Sequence, residues 1–176
     1  MRTSYKVFDP DYPYFITSTI VDWKPVFISD KYYYILIDNL NFYSSKYSIE
    51  VFAYVFLDNH FHLICRCKDL EKAIQSFKSF TAKKIINLLI EDNRIDLLNH
   101  FCENKKGYKY DSKYQVWQEG YHPKEMINEK VFYQKIEYIH NNPVRRGIVE
   151  DPAEYRYSSA KCFLDGIESE VKITRL

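Results

Sequence analysis

The feature that most constrains this chain is the stretch 54–67, YVFLDNHFHLICRC, in which two apolar runs meet at the polar corner Asp58-Asn59. This pattern predicts two strands joined by a hairpin turn. Successive side chains leave a strand on opposite faces, so His60 and His62 share one face and Phe61 lies on the other. Two neutral imidazoles on a rigid strand form half of a metal site, although the same spacing also suits a plain polar face or a hydrogen-bonded pair.

The cysteines of the same strand face away from the histidines. Cys65 and Cys67 share a face with Phe61, so a zinc site of two histidines and two cysteines cannot be built from this strand alone. We expect both thiols to be buried as small apolar side chains.

Length and composition predict a single domain over residues 1–176, with a core at about 12–147 and a C-terminal segment at 148–176. Neither a membrane-spanning run nor a secretory leader is expected. Four cysteines without a disulfide framework indicate a cytoplasmic location. The net charge of +1 does not by itself indicate a nucleic-acid-binding protein, but 17 Tyr and 12 Phe, interleaved with Lys, suit stacking on unpaired bases.

Hydrophobic periodicity predicts alternating strands and helices along the chain. The expected strands are 12–21, 49–57, 60–67 and a fourth at 116–127, interrupted at Pro123. The expected helices run from Ser29-Asp30 to about 45, from Asp69 to about 90, over a short piece at 95–101, and from about Asn128. The last helix is expected to end at Asn142, because proline disfavours a helical conformation in the residue before it. Residues 103–114 are expected to form a loop.

The order β-α-β-β-α-β-α predicts an α+β fold of the ferredoxin-like split βαβ type, with an antiparallel sheet and an added C-terminal helix. In this arrangement we expect one sheet face to be covered and the face with the histidines to be free. On the last helix, Phe132, Ile136 and Ile139 form the predicted buried stripe. Tyr138 and Asn142 fall together on one side of it, one turn apart.

Five ordered blocks resemble the signature blocks of single-tyrosine HUH transposases, particularly the REP-associated tyrosine transposases. They are FLDNHFHLI at 56–64, SFKSFTA at 76–82, WQEGYH at 117–122, YIHNNPVRRG at 138–147 and YRYSSA at 155–160. The resemblance implies a metal-dependent single-stranded DNA endonuclease and strand transferase acting on hairpin-associated DNA. The family usually has Pro where Asp58 stands, so an additional carboxylate is expected near the metal.

The resemblance also implies a role for each site residue. His60, His62 and Asn142 would bind Mg²⁺ or Mn²⁺, with water and phosphate oxygens completing the coordination. Tyr138 would be the nucleophile, leaving a 5′-phosphotyrosine and a free 3′-OH that can attack back and rejoin strands.

Contacts with single-stranded or hairpin DNA are expected from cations and aromatic side chains. The main candidates lie in the loop, with weaker candidates on the second helix and after the last one: Lys105, Lys106, Tyr108, Lys109 and Tyr110, then Lys78 and Lys83, then Arg145 and Arg146.

Two other functions stay open: a domesticated protein that binds hairpin DNA without cutting it, and a zinc hydrolase using His60 and His62. The intact residue set disfavours the first, and the absence of a carboxylate at general-base spacing disfavours the second. Whether the site is completed within one subunit or across a homodimer also stays open.

Overall fold

The computed structural model describes residues 9–107 and 112–175, and it confirms the predicted α+β class. The strands are β1 (Tyr14–Thr19), β2 (Glu50–Phe56), β3 (His60–Arg66) and β4 (Lys124–Glu125). The helices are α1 (Asp30–Tyr47), α2 (Leu70–Glu91), α3 (Ile95–Glu103), α4 (Glu129–Arg145) and α5 (Ala160–Leu164). None of the helices in this part of the chain is long and apolar enough to cross a bilayer.

The sheet has the order β2-β3-β1-β4, and every neighbouring pair is antiparallel. This is the order expected of a split βαβ unit, in which β3 is inserted between β1 and β2. The register places Thr17 opposite His62 and Thr19 opposite His60. The central position of β3 therefore fixes both histidines against the neighbouring strand.

A large apolar core lies between one face of the sheet and the helices α1, α2 and α3. From β3 it receives Phe61, Leu63, Cys65 and Cys67, as the alternation of the sequence predicts. The cysteines are free thiols within this core, and the pKa of Cys65 is raised by burial. Their orientation confirms that they cannot join the histidines in one site.

The second sheet face is not free, which corrects the expectation from the sequence. Helix α4 packs its Phe132, Ile136 and Ile139 on this face, against a smaller apolar cluster that includes Phe15 and Ile64. The three helix residues are those of the predicted stripe. The face carrying the histidines is therefore partly closed by the helix that carries Tyr138 and Asn142.

The predicted end of the last helix is wrong, because α4 continues through Pro143 to Arg145. Proline removes one helical hydrogen bond, but it sits only two residues before the helix ends, where little else is lost. The end is closed by Arg146 N–H, which donates to the Asn142 carbonyl, and by Gly147 at φ +68°. Asn142 thus lies inside the helix.

The fourth strand is far shorter than the predicted 116–127. Only Lys124–Glu125 pairs as a strand, with Tyr14 and Phe15. Upstream, Trp117 forms an isolated bridge to Ile20, and then Gly120 at φ +75° and His122 at φ +44° turn the backbone into the left-handed region. A continuous strand cannot pass through these positions.

Candidate functional site

The site begins with the two histidines of β3, which the strand alternation holds side by side. Their ring centroids are 4.9 Å apart and the rings meet edge to face. Both side chains are buried, His60 at 7% exposure and His62 at 5%. The pair therefore lies at the bottom of the interface between sheet and α4 instead of on an open surface.

Each histidine is oriented by a hydrogen bond at Nδ1. His60 Nδ1 lies 2.7 Å from Asn59 Oδ1, and His62 Nδ1 lies 2.7 Å from Thr17 Oγ1. Because a carbonyl oxygen only accepts, His60 carries its hydrogen on Nδ1, which leaves a lone pair on Nε2. No hydrogen bond between described residues uses Nε2 of either ring. This is how metal-binding histidines are oriented in proteins.

Both imidazoles are held in the neutral form. Burial lowers the pKa of His60 to about 4, with a further contribution from the Arg146 charge. Burial lowers the pKa of His62 to about 3, helped by His60 and Lys135. Neutral imidazole is the form that binds a metal, so neither ring has to lose a proton near neutral pH.

Tyr138 on α4 reaches the same place from the opposite side. Its half-buried ring lies 5.4 Å from the His62 ring and 6.0 Å from the Phe15 ring, centroid to centroid. Two cations contact the phenol: Lys135 Nζ is 5.0 Å and the Arg145 guanidinium 5.3 Å from the ring centroid. A phenol beside one imidazole of the pair and two cations forms an environment suited to an anionic phosphate.

Asn142 follows Tyr138 by one turn of α4 and is buried. Its amide makes no hydrogen bond within residues 9–107 and 112–175, so its oxygen is not already used by a neighbouring group. Among the described residues, no group of three or more His, Cys, Asp or Glu is placed so that it could hold a metal ion. The donor set predicted from the sequence, two imidazoles and one amide, is a mixed set of nitrogen and oxygen that carries no charge.

The other tyrosines near the end of the fold are placed elsewhere. Tyr121 packs against the large core on the first face, where its hydroxyl is buried without a hydrogen-bond partner among the described residues. Burial raises its pKa to about 12. Tyr133 is exposed on α4 and lines a cavity of about 400 Å³ formed with the C-terminal segment. Of these three tyrosines, Tyr138 contacts a histidine of the pair.

No protein-family model and no curated protein matches the chain. A solved structure of a REP-associated tyrosine transposase bound to a REP hairpin is similar to it, with 17% sequence identity and a TM-score of 0.68. The match covers 99% of this chain and 93% of that chain. The fold is shared. The resemblance read from the sequence is confirmed at that level, and an identity this low says nothing of the chemistry.

The predicted DNA contacts have different surroundings in the structure. Arg145 lies beside Tyr138, whereas Arg146 forms an ion pair with Asp58, Nη1 to Oδ1 2.6 Å. Asp58, the additional carboxylate expected near the metal, is therefore paired with the Arg146 guanidinium. On α2, Lys78 Nζ donates to the carbonyls of Gln118 and Gly120, and Lys83 is exposed.

The predicted loop is described only in part. Lys105 is half-buried, and the exposed Lys106 donates its N–H to Gln115 Oε1 at 3.0 Å. Tyr108, Lys109 and Tyr110 lie outside the described residues. Among the described candidates, Arg145 contacts the Tyr138 ring and the Arg146 charge acts on His60.

Sequence reasoning missed three residues of the site: Thr17, Asn59 and Lys135. Thr17 could have been found from the alternation of β1, which puts Phe15, Thr17 and Thr19 on one face. Lys135 stands three residues before Tyr138 and seven before Asn142, which is the spacing of one helix face. The sequence indicates only a turn at Asn59, and the contact of its side chain with the neighbouring histidine depends on a rotamer.

Proposed function

We propose that this chain is a metal-dependent endonuclease and strand transferase for single-stranded or hairpin-associated DNA, with Tyr138 as its nucleophile. The observation that carries the proposal is the 5.4 Å approach of the Tyr138 ring to the His62 ring. It brings a nucleophile from one element to a pair of oriented imidazoles on another. The transposase of similar fold is bound to a REP hairpin, so hairpin DNA is the first substrate class to test.

His60, His62 and Asn142 would hold Mg²⁺ or Mn²⁺. The fit rests on the Nδ1 contacts of both histidines and on the unused amide of Asn142. When bound, such an ion polarises the scissile phosphate and offsets the charge that develops on it. Because the three donors are neutral, they leave the charge of the ion undiminished for the phosphate.

Tyr138 would do the covalent chemistry. Its Oη attacks the phosphorus and forms a new P–O bond, while the bond from phosphorus to the 3′-oxygen breaks. The phenol loses its proton and the departing 3′-oxygen gains one, which yields a 5′-phosphotyrosine and a free 3′-OH. One phosphodiester replaces another, so the 3′-OH can attack back and rejoin strands without an external energy source.

Lys135 and Arg145 would bind the non-bridging oxygens of the same phosphate. Both cations already contact the Tyr138 ring, so a phosphate approached by Oη lies within their reach. Cations of this kind orient the phosphate for attack and add to its charge stabilisation.

Neither alternative function gains an observation of its own. A zinc hydrolase needs a general base. The carboxylate whose charge affects the pKa of His60 belongs to Asp58, and it is already paired with Arg146. Binding without cleavage would leave Tyr138 without a role beside the histidines.

The test is to trap the covalent adduct. Randomised single-stranded and hairpin oligonucleotides are incubated with the protein and Mg²⁺ or Mn²⁺, and adducts are sequenced and mapped by peptide mass spectrometry. We expect a phosphotyrosine at Tyr138, abolished by EDTA and by Tyr138→Phe and retained in the matched control Tyr133→Phe. An adduct on another residue, or cleavage unaffected by EDTA, would contradict the proposal.

A further inference from the structure

Trp23 is an exposed indole at the rim of the site with no role in the reaction proposed above. The residue is 55% exposed, although tryptophan is on average a highly buried residue. Its ring lies 5.3 Å from the His60 ring, centroid to centroid, at an angle of 71°. An exposed aromatic surface therefore begins where the buried histidine pair ends.

The backbone that presents this indole is in an unusual conformation. Asp22 and Trp23 have φ values of +52° and +57°, in the left-handed region that residues with a Cβ rarely adopt. Such conformations persist only where the surroundings impose them, and they concentrate at functional sites. If this turn had no function, glycine at either position would adopt the same φ without the steric cost that a Cβ brings.

Several contacts hold the turn in place. Trp23 N–H donates to the Ile20 carbonyl at 3.0 Å, and Lys24 N–H donates to the Val21 carbonyl at 3.3 Å. Asn59 Nδ2 donates to the Trp23 carbonyl at 3.0 Å, while Asn59 Oδ1 faces His60 Nδ1. One amide therefore links the position of the indole to the orientation of the histidine.

We infer that Trp23 is a stacking platform for the unpaired base next to the phosphate that is cut, which rests on the proposed function. A phosphate held between the histidine pair and Tyr138 carries its own nucleoside, and the exposed indole contacts the His60 ring of that pair. Bases stack on aromatic side chains irrespective of sequence because each has a π-face. An indole fixed before binding loses little freedom when the base arrives.

The test uses the oligonucleotide recovered from the trapped adduct and the non-cleaving Tyr138→Phe protein, so that binding alone is measured. Trp23→Ala should weaken binding about tenfold, and Trp23→Phe should restore part of it. The matched control is Phe42→Ala, since Phe42 is 58% exposed and lies on α1, which packs on the other sheet face. It should leave the affinity unchanged.

A double-mutant cycle identifies the partner of the indole. Abasic nucleotides on either side of the scissile phosphate remove the base and keep the charge. In the protein that retains Trp23, one of these abasic sites should lower the DNA affinity as much as Trp23→Ala does. The same abasic site should not lower the affinity of the Trp23→Ala variant any further. Equal losses in both proteins would overturn the inference and leave the proposed function intact.

Intrinsic fluorescence gives an independent readout, because the chain has two tryptophans. Trp117 is buried and its indole N–H donates to Thr81 Oγ1, so it is shielded from the DNA. DNA should quench the emission of the protein with both tryptophans and leave that of Trp23→Phe unchanged. Quenching of equal size in both would overturn the inference. Absence of any DNA binding would overturn the proposed function and the inference with it.

Discussion

The two faces of the sheet bury the side chains of β3 to nearly the same extent, but one face forms an apolar core and the other forms the candidate site. Phe61 and His62 are neighbours on β3, and both are at most 5% exposed. Phe61 lies between the rings of Phe77 and Trp117, at 5.7 and 5.5 Å, in a core built of apolar and aromatic groups. His62 lies against Thr17 and Tyr138 and keeps a nitrogen that bonds to nothing in the described chain.

The difference shows that low exposure does not decide whether a residue serves stability or chemistry. On the first face, the β3 side chains are apolar groups and thiols that packing accommodates, although the Tyr54 and Tyr121 hydroxyls in the same core are buried without a hydrogen-bond partner among the described residues. On the second face, buried imidazole and amide groups and a half-buried phenol carry a desolvation cost that packing alone does not offset. Polar groups retained under such a cost, with open ligand positions, are expected where a ligand binds.

The largest effect is expected for His62→Ala, measured as adduct formation on the trapped oligonucleotide. The variant loses one of the proposed metal donors, so the rate should fall at least about 10³-fold. It also loses the Thr17 contact and part of its packing, which should cost about 1–2 kcal/mol of unfolding free energy. Because the ring is buried, this cost is not zero, contrary to the expectation of an open face. A folded variant with normal cleavage would break the distinction between the faces.

The complementary change is Phe61→Ala on the first face. Removal of a fully buried ring between Phe77 and Trp117 should lower the unfolding free energy by about 3–5 kcal/mol. Cleavage per folded molecule should stay within a fewfold of the unchanged protein at a temperature where the variant is native. Chemical denaturation and single-turnover cleavage measure the two quantities. A loss of cleavage in the fully folded variant would show that the first face also shapes the site.

The second side of the sheet should also be the more acid-sensitive. His140 on α4 is buried against Ser159 Oγ at 2.8 Å, and burial lowers its pKa to about 4. Its unfolded pKa is near 6.5, so between these values the unfolded chain binds the extra proton. The stabilisation is complete above about pH 6.5 and is lost as the pH falls toward 4. The free energy of unfolding, measured by chemical denaturation, should fall between pH 6.5 and pH 5. The fall should be about 2 kcal/mol smaller in His140→Gln than in the unchanged chain.

The fold was predictable because the strands and helices are strongly periodic. The alternation of β3 alone assigned Phe61 and His62 to opposite faces, and the stripe of α4 followed from helical spacing. The predictions failed where backbone turns decide: Gly120 and His122 interrupt the predicted fourth strand and leave only Lys124–Glu125 paired, and Pro143 is accommodated within α4. Local sequence does not say which of two allowed conformations the tertiary contacts select.

The site was predictable in its central residues and not in their partners. Motif and spacing pointed to Tyr138 and the histidine pair, and the structure brings these side chains into contact. The Asn59 and Lys135 contacts depend on rotamers and on how α4 lies across the sheet, which no pattern within one element encodes. The ion pair of Asp58 with Arg146 joins positions 88 residues apart, so sequence reasoning gave each residue a separate role.

The smallest effect is expected from breaking the ion pair between Asp58 and Arg146. Both side chains are about one third exposed, so the pair should contribute at most about 1 kcal/mol to stability. Asp58→Asn keeps the shape of the turn and removes the charge, which frees Arg146 for phosphate. Affinity for single-stranded DNA should rise a fewfold, and the rise should shrink with added salt. The matched control Asp38→Asn removes an exposed carboxylate on α1 that has no ion pair among the described residues. An equal rise in both variants would indicate net charge as the cause, whereas a rise in Asp58→Asn alone would assign Arg146 to the DNA.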